Sequence, residues 1–210
     1  MIGIINTGSQ NIGSIINCLN YIKIKFKLIN NINELKKVKM VILPGVGSFD
    51  FVIKNLKKKK LYGSKFINEI SRKKVLAICV GLQILFKKSD EGKLLGLNIF
   101  ENVHVKKLNT IGSYGPLPHV GFNSVKLAKG DNKLKTILNN DYYFVHSFGV
   151  DSAENSKIFD SYGTTKYNGC EIISYLKFKN FVAVQFHPEK SGERGLKFFK
   201  YFCDEKKNYF

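Results

Sequence analysis

The chain opens on a short unbroken apolar run at 2–6, followed by a Gly/Ser/Asn-rich loop at 7–11. From 12 to 22 the apolar residues Ile12, Ile15, Ile16, Leu19 and Ile22 recur at helical spacing, so the start reads strand, loop, helix. A second apolar run, 38–43, ends in Pro44-Gly45-Val46-Gly47-Ser48. Helical periodicity with a lysine-rich outer face covers 49–72. A third run, 75–78, closes on Cys79, and 81–88 is expected to turn helical. Buried runs alternating with amphipathic helices predict an α/β protein with a mostly parallel sheet covered on both faces. The second half changes character. Segments 98–108, 119–127, 142–150, 169–178 and 180–186 read as strands between Gly, Asn and Asp turns, and a last helix is expected over 192–202. No repeat, low-complexity linker or composition break divides 1–210, so one domain is expected.

Composition narrows this picture without redirecting it. With 44% apolar and 24% charged residues, the 210-residue chain buries a core and is not disordered. No apolar run approaches the roughly 18–20 residues needed to cross a bilayer. The N-terminus has neither a basic leader nor a cleavage site. A soluble cytoplasmic protein is expected. The formal charge of +18 invites a nucleic-acid reading. Yet only Arg72 and Arg194 are arginines; the other basic residues are scattered lysines, and Asn, Ile, Phe and Tyr are abundant. That is the bias of an AT-rich genome, and it lacks the guanidinium forks suited to phosphate and base recognition. Neither a nucleic acid nor a membrane is expected as partner. The cysteines Cys18, Cys79, Cys170 and Cys203 form no Cys-x-x-Cys pair, so neither a disulfide framework nor a zinc site is predicted.

The chemistry concentrates at Cys79. An apolar strand runs straight into this cysteine, and Ala77 and Gly81 flank it at minus two and plus two. That is the small-x-nucleophile-x-small pattern of a nucleophile elbow, where small neighbours admit a strained turn. A helix starting there would favour a thiolate. A nucleophilic cysteine needs a base and a group to orient that base. In 183–189, Ala-Val-Gln-Phe-His-Pro-Glu, His187 ends an apolar strand two residues before Glu189. Positions i and i+2 of an extended chain face the same side, so Glu189 can hold the tautomer while His187 takes the thiol proton. Gly45, Val46 and Gly47 end another buried strand, where glycines let backbone N–H groups approach a developing oxyanion. A cysteine hydrolase or peptidase of related fold shares the Cys and His, so these residues alone leave it open.

Five motifs in order carry a resemblance that covers the whole chain. They are Pro44-Gly-Val-Gly-Ser-Phe49, Ala77-Ile-Cys79-Val-Gly81-Leu-Gln83 with Ser89-Asp90-Glu91-Gly92, and Leu117-Pro-His119-Val-Gly121-Phe122-Asn123. Tyr142-Tyr143-Phe-Val-His146-Ser147-Phe148 and Gln185-Phe-His187-Pro-Glu189-Lys190-Ser191 complete the set. The sequence resembles the class I (triad) glutamine amidotransferases, and within them the glutaminase-subunit family of imidazole glycerol phosphate synthases. The resemblance implies that family's fold, with an antiparallel strand-rich second half, as a single domain over 1–210. It implies that Cys79 attacks the glutamine carboxamide, that His187 is the base and that Glu189 orients it. Gly45, Val46 and Gly47 would shape the oxyanion hole. Gln83, Glu91, His146 and Ser147 would hold glutamine. No metal or organic cofactor is implied. The implied partner is a (β/α)8-barrel cyclase that receives ammonia and makes imidazole glycerol phosphate and AICAR in histidine biosynthesis. Asn11, His119, Phe122, Asn123, Tyr143 and Lys190 fall in segments near that interface.

Three positions depart from the family pattern. Gln10 replaces a glycine in the first loop, Phe122 stands where the family has Trp, and Phe148 where it has Tyr. None belongs to the triad. The first two bear on which synthase receives the ammonia, and paralogous subunits supply acetamidino-sugar synthesis for surface glycans. That alternative stays open on sequence alone.

Overall fold

A computed structural model describes residues 1–204, with Glu101 and Asn102 described in their backbone only. The first half runs β1 (Ile2–Ile5), α1 (Ile12–Tyr21), β2 (Phe26–Ile29), α2 (Ile32–Lys36), β3 (Met40–Leu43), α3 (Phe49–Lys58), α4 (Ser64–Ile70), β4 (Lys74–Ile78) and α5 (Val80–Gln83). Then come β5 (Phe86–Ser89), β6 (Phe100–Lys107), β7 (His119–Ser124), β8 (Lys126–Lys129), α6 (Asn132–Leu138), β9 (Asp141–His146) and β10 (Phe148–Gly149). The chain continues through α7 (Ser152–Asn155), β11 (Ser161–Tyr167), β12 (Cys170–Phe178), β13 (Phe181–Val184) and α8 (Gly192–Cys203).

One eight-stranded sheet in the order β2-β1-β3-β4-β13-β12-β11-β8 forms the centre. From β2 to β13 neighbours pair in parallel, and from β13 to β8 they pair antiparallel. β1, β3, β4 and β13 are buried at every position, as expected of strands covered on both faces. This topology seats β13, from near the C-terminus, directly beside β4. Val184 pairs with Ile78, and Leu43 of β3 pairs with Ala77, so β3, β4 and β13 end at the same level. The residues that follow them are Pro44-Gly45, Cys79 and Gln185-Phe186-His187. Side chains at adjoining carboxyl ends of parallel strands share one crevice.

Two expectations change. The helix predicted over 81–88 is confined to Val80–Gln83, and Phe86–Ser89 is a strand paired with β6. Leu82, Ile84, Leu85 and Phe86 are all fully buried, so this stretch has no polar face for a longer amphipathic helix. The helical stretch 49–72 is two helices, broken where Lys60 and Gly63 adopt positive φ. Strands β2 and β11 and the short helices α2, α6 and α7 had no counterpart in the periodicity. No helix among the described residues is long and apolar enough to cross a membrane.

Candidate active site

Cys79 sits between β4 and α5 with φ 54° and ψ −111°. A non-glycine residue in such backbone stores about 1–3 kcal/mol, and the surroundings enforce it. Cys79 N–H donates to the Val184 carbonyl at 2.8 Å, and Gln83 N–H donates to the Cys79 carbonyl at 3.1 Å. The small neighbours are required by contact. A Cβ at Gly81 would run into the Leu43 carbonyl oxygen, and one at Gly45 would strike the Gly81 amide nitrogen and lie 2.9 Å from Val80 Cβ. The strand end and the elbow therefore touch backbone to backbone. In that contact the Val80 N–H, first donor of the elbow helix, is engaged with the Gly45 carbonyl at 3.3 Å. Gly47, at φ 98°, turns the chain into α3.

His187 is completely buried and held on every side. Its backbone N–H donates to the Tyr143 carbonyl at 2.8 Å, and Ser191 Oγ donates to its carbonyl at 2.6 Å. Nδ1 meets Glu189 Oε1 at 2.7 Å, and both side chains are shielded from solvent. Because a carboxylate accepts, Nδ1 carries a hydrogen, which leaves Nε2 as the nitrogen that can take up or give a proton. Nε2 is buried and makes no hydrogen bond of ordinary geometry. Burial drives the imidazole toward neutrality, but its interactions with the Cys79 sulfur and the Glu189 carboxylate outweigh burial and raise it to about 10.

Each residue singled out from the sequence has a definite place. Gln83 is buried; its Nε2 donates to the Phe148 carbonyl at 2.9 Å and to Gln185 Oε1 at 3.2 Å. Its Oε1 is a buried acceptor without a partner. Glu91 accepts the Phe49 N–H at 2.8 Å, which braces the end of the 44–48 loop. Partial burial raises the Glu91 carboxyl, against that hydrogen bond and with Asp50 adding repulsion. Ser147 offers its carbonyl to Leu108 N–H, between His146 and Phe148. Phe122, Tyr143 and Lys190 form a continuous outer patch. The rings of Phe122 and Tyr143 meet edge-on at 5.7 Å, and Lys190 Nζ lies 5.6 Å from the Tyr143 ring. Phe122 is 62% exposed.

Asn11 and His119, which fall in segments near the implied interface, are both buried within this chain. Asn11 Nδ2 donates to Glu189 Oε1 at 2.8 Å, so it supports the carboxylate that holds His187. His119 is stacked between Phe144 and Tyr167 at 4.7 and 4.0 Å, which removes it from solvent. Its Nδ1 meets His146 Nε2 at 3.1 Å, and Asn123 Nδ2 donates to its Nε2 at 3.2 Å. The tautomers follow from the end of this chain of bonds. The Phe148 carbonyl accepts from His146 Nδ1 at 2.8 Å, so His146 Nε2 accepts from His119.

Sequence reasoning gave no role to the side chain of Gln185. Its Nε2 lies 3.6 Å from Cys79 Sγ, and the residue is fully buried. The one signal for it was period-two alternation, which puts a polar Gln185 on the same face as His187 within an apolar strand.

Both inner histidines are held neutral. Burial lowers His119 to about 4. Burial, with repulsion from His119 and His187 against the Phe148 carbonyl, lowers His146 to about 3. Above about pH 6.5 both are neutral whether folded or unfolded, and their contribution to stability is complete. Below it the unfolded chain takes up protons that the native state refuses, so stability falls toward those lower values. His146 alone is expected to withdraw ~2 kcal/mol between about pH 7 and about pH 4.5. Urea unfolding at both pH values checks this, and His146→Gln should remove that part of the acid slope.

The family model of class-I glutamine amidotransferases matches residues 3–205. A protein from Caldanaerobacter subterraneus subsp. tengcongensis named imidazole glycerol phosphate synthase subunit HisH is 42% identical over 206 residues, covering 96% of this chain and 97% of that protein. A protein of the same name from Methanocaldococcus jannaschii is 39% identical, covering 97% and 99%. Among solved structures, PurLQS from Thermotoga maritima superposes with a TM-score of 0.68 at 17% identity over 96% of each chain. A glutamine amidotransferase from the same organism gives 0.57 at 18% identity, covering 97% of this chain and 82% of that one. These two likenesses concern the fold.

Proposed function

The chain belongs to the class-I glutamine amidotransferases and, within them, to the family of HisH subunits, and from that premise we propose a Cys79–His187–Glu189 glutaminase. The observation that carries the reading is the buried His187, its Nδ1 fixed by Glu189 at 2.7 Å and its Nε2 facing no other acceptor or donor. In this reaction the thiol proton passes to Nε2, and Cys79 Sγ attacks the glutamine carboxamide carbon. The imidazolium then protonates departing ammonia, leaving a glutamyl thioester. Water, deprotonated by His187, releases glutamate. Asn11 and Glu189 keep the imidazole oriented throughout.

Substrate contacts fall to Gln83, Glu91, His146 and Ser147. Gln83 Oε1 is a buried acceptor that a substrate N–H would satisfy, and Glu91 supplies negative charge for the ammonium end. The oxyanion would take its donors from Val80 and from the strand at Gly45, Val46 and Gly47. Because Val80 N–H is engaged by the Gly45 carbonyl at 3.3 Å, the loop must shift before that donor can face an oxyanion. A glutaminase that is slow alone and faster when a partner moves the 44–48 loop follows from this contact.

The proposed partner is the cyclase subunit of imidazole glycerol phosphate synthase, a (β/α)8 barrel, acting with this chain in the cytoplasm. The outer patch of Phe122, Tyr143 and Lys190 is the proposed docking surface. Ammonia that crosses directly between active sites stays unprotonated and is not lost to water. The test is glutamate release from glutamine, measured with the chain alone and then with the histidine-pathway cyclase and its acceptor nucleotide. Stimulation on the order of 10²-fold or more is expected, about 3 kcal/mol of barrier. Turnover that the cyclase leaves unchanged would move the partner to another synthase, such as one making acetamidino sugars. No turnover under any pairing would sink the glutaminase reading.

A further inference from the structure

The side-chain amide of Gln185 is set against the nucleophile by hydrogen bonds whose direction admits one arrangement. The Phe148 carbonyl can only accept, so Gln83 presents Nε2 to it, at 2.9 Å. The second hydrogen of that nitrogen goes to Gln185 at 3.2 Å, which makes the receiving atom the Gln185 oxygen. The opposite end of the Gln185 amide, its Nε2, therefore faces Cys79 Sγ at 3.6 Å. Backbone bonds hold both ends of this contact. Gln185 N–H donates to the Ser174 carbonyl at 2.9 Å, and Cys79 N–H donates to the Val184 carbonyl at 2.8 Å. Both side chains are buried, so no water competes for the sulfur.

We infer that Gln185 is a further catalytic residue, whose side-chain N–H donates to the Cys79 sulfur and stabilises the attacking thiolate. The inference rests on the proposal that Cys79 is the nucleophile. A neutral thiol is a weak acceptor and a thiolate a strong one, so this bond gains strength when the sulfur ionises. The S–H bond breaks, its proton goes to His187 Nε2, and the electron pair stays on Sγ facing Gln185. No proton leaves Gln185. When the sulfur becomes a thioester it loses its charge and the bond weakens, so the donor acts on the nucleophile in its reactive form. Gln83 has a double task here, because the hydrogen bond that leaves its own oxygen free also turns the Gln185 amide toward Cys79.

The test is the ultraviolet absorbance of the Cys79 thiolate across pH, taken as the difference from Cys79→Ser in the same background to remove the other cysteines. Gln185→Met keeps the length and loses the donor. Gln185→Asn keeps the amide and draws it back by about 1.5 Å. In either variant that retains native circular dichroism, the thiolate is expected at higher pH, with about tenfold less of it at a given pH on the rising limb. In the wild type, the Gln185 side-chain amide resonance is expected to shift as Cys79 ionises. A thiolate that rises at an unchanged pH in a folded variant, or an amide resonance blind to Cys79, would overturn the inference even if turnover fell. Failure of the glutaminase reading itself shows separately, as wild-type protein that releases no glutamate, while the thiolate titration still decides Gln185.

Discussion

Cys79→Ala is expected to reduce glutamine hydrolysis on the order of 10⁴-fold or more, to background, because the proposed covalent route has no second nucleophile. The other cysteines do not offer a substitute: Cys18 lies against the Glu189 carbonyl at 3.8 Å, and Cys203 is buried with its thiol pushed up to about 12. The fold should survive the change. Alanine at position 79 inherits the same backbone strain, so stability should move by less than about 1 kcal/mol. Cys79→Gly separates the two demands on this position. Glycine accepts φ 54° without penalty, so this variant should be inactive and more stable, by about 1 kcal/mol. Glutamate release and urea unfolding of the pair give the check. A glycine variant no more stable than the alanine variant would show that the elbow is not strained.

Gly81→Ala carries the largest expected loss of stability, about 3 kcal/mol. Its Cβ would enter the Leu43 carbonyl oxygen, a backbone atom of a central strand that no rotamer change can move aside. The chain must then part β3 from the elbow, which also dismantles the contact between Gly45 and Val80. Glutaminase activity should fall with Cys79, His187 and Glu189 all intact. Gly13→Ala is the matched control. It sits in α1 with nothing near the new methyl group, and alanine there should add about 0.5–1 kcal/mol. Urea unfolding of the three proteins measures both effects. A Gly81→Ala protein as stable as the parent would show that the elbow and the end of β3 do not pack as described.

The same contacts show why part of the site is legible in the chain and part is not. Cys79 between Ala77 and Gly81, at the end of an apolar run, announces an elbow because the constraint is local. Two small residues and a strand–helix junction lie within a few positions. His187 and Glu189 are legible for the same reason, since extended backbone puts i and i+2 on one side. The contact of Asn11 with Glu189 is not legible in its motif, because the amide reaches the carboxylate across 178 positions. The enclosure of His119 is hidden in the same way. The residue lies on a strand whose neighbours Val120 and Phe122 are exposed, yet Phe144 and Tyr167 enclose it.

The strand–helix alternation, the elbow, the order of the proposed triad and the family could all be read from the chain alone, because each rests on short-range spacing or on motif order. That Phe86–Ser89 is a strand emerged with the fold, because its partner β6 lies beyond the range of any periodicity. The fold also decided which nitrogen of His119 and His146 carries hydrogen, and that Gln185 faces Cys79. Those outcomes turn on hydrogen bonds whose donors and acceptors come from separate strands. A hydrogen bond needs its partner within about 3 Å, and for residues far apart in the chain nothing but the packed sheet brings them that close.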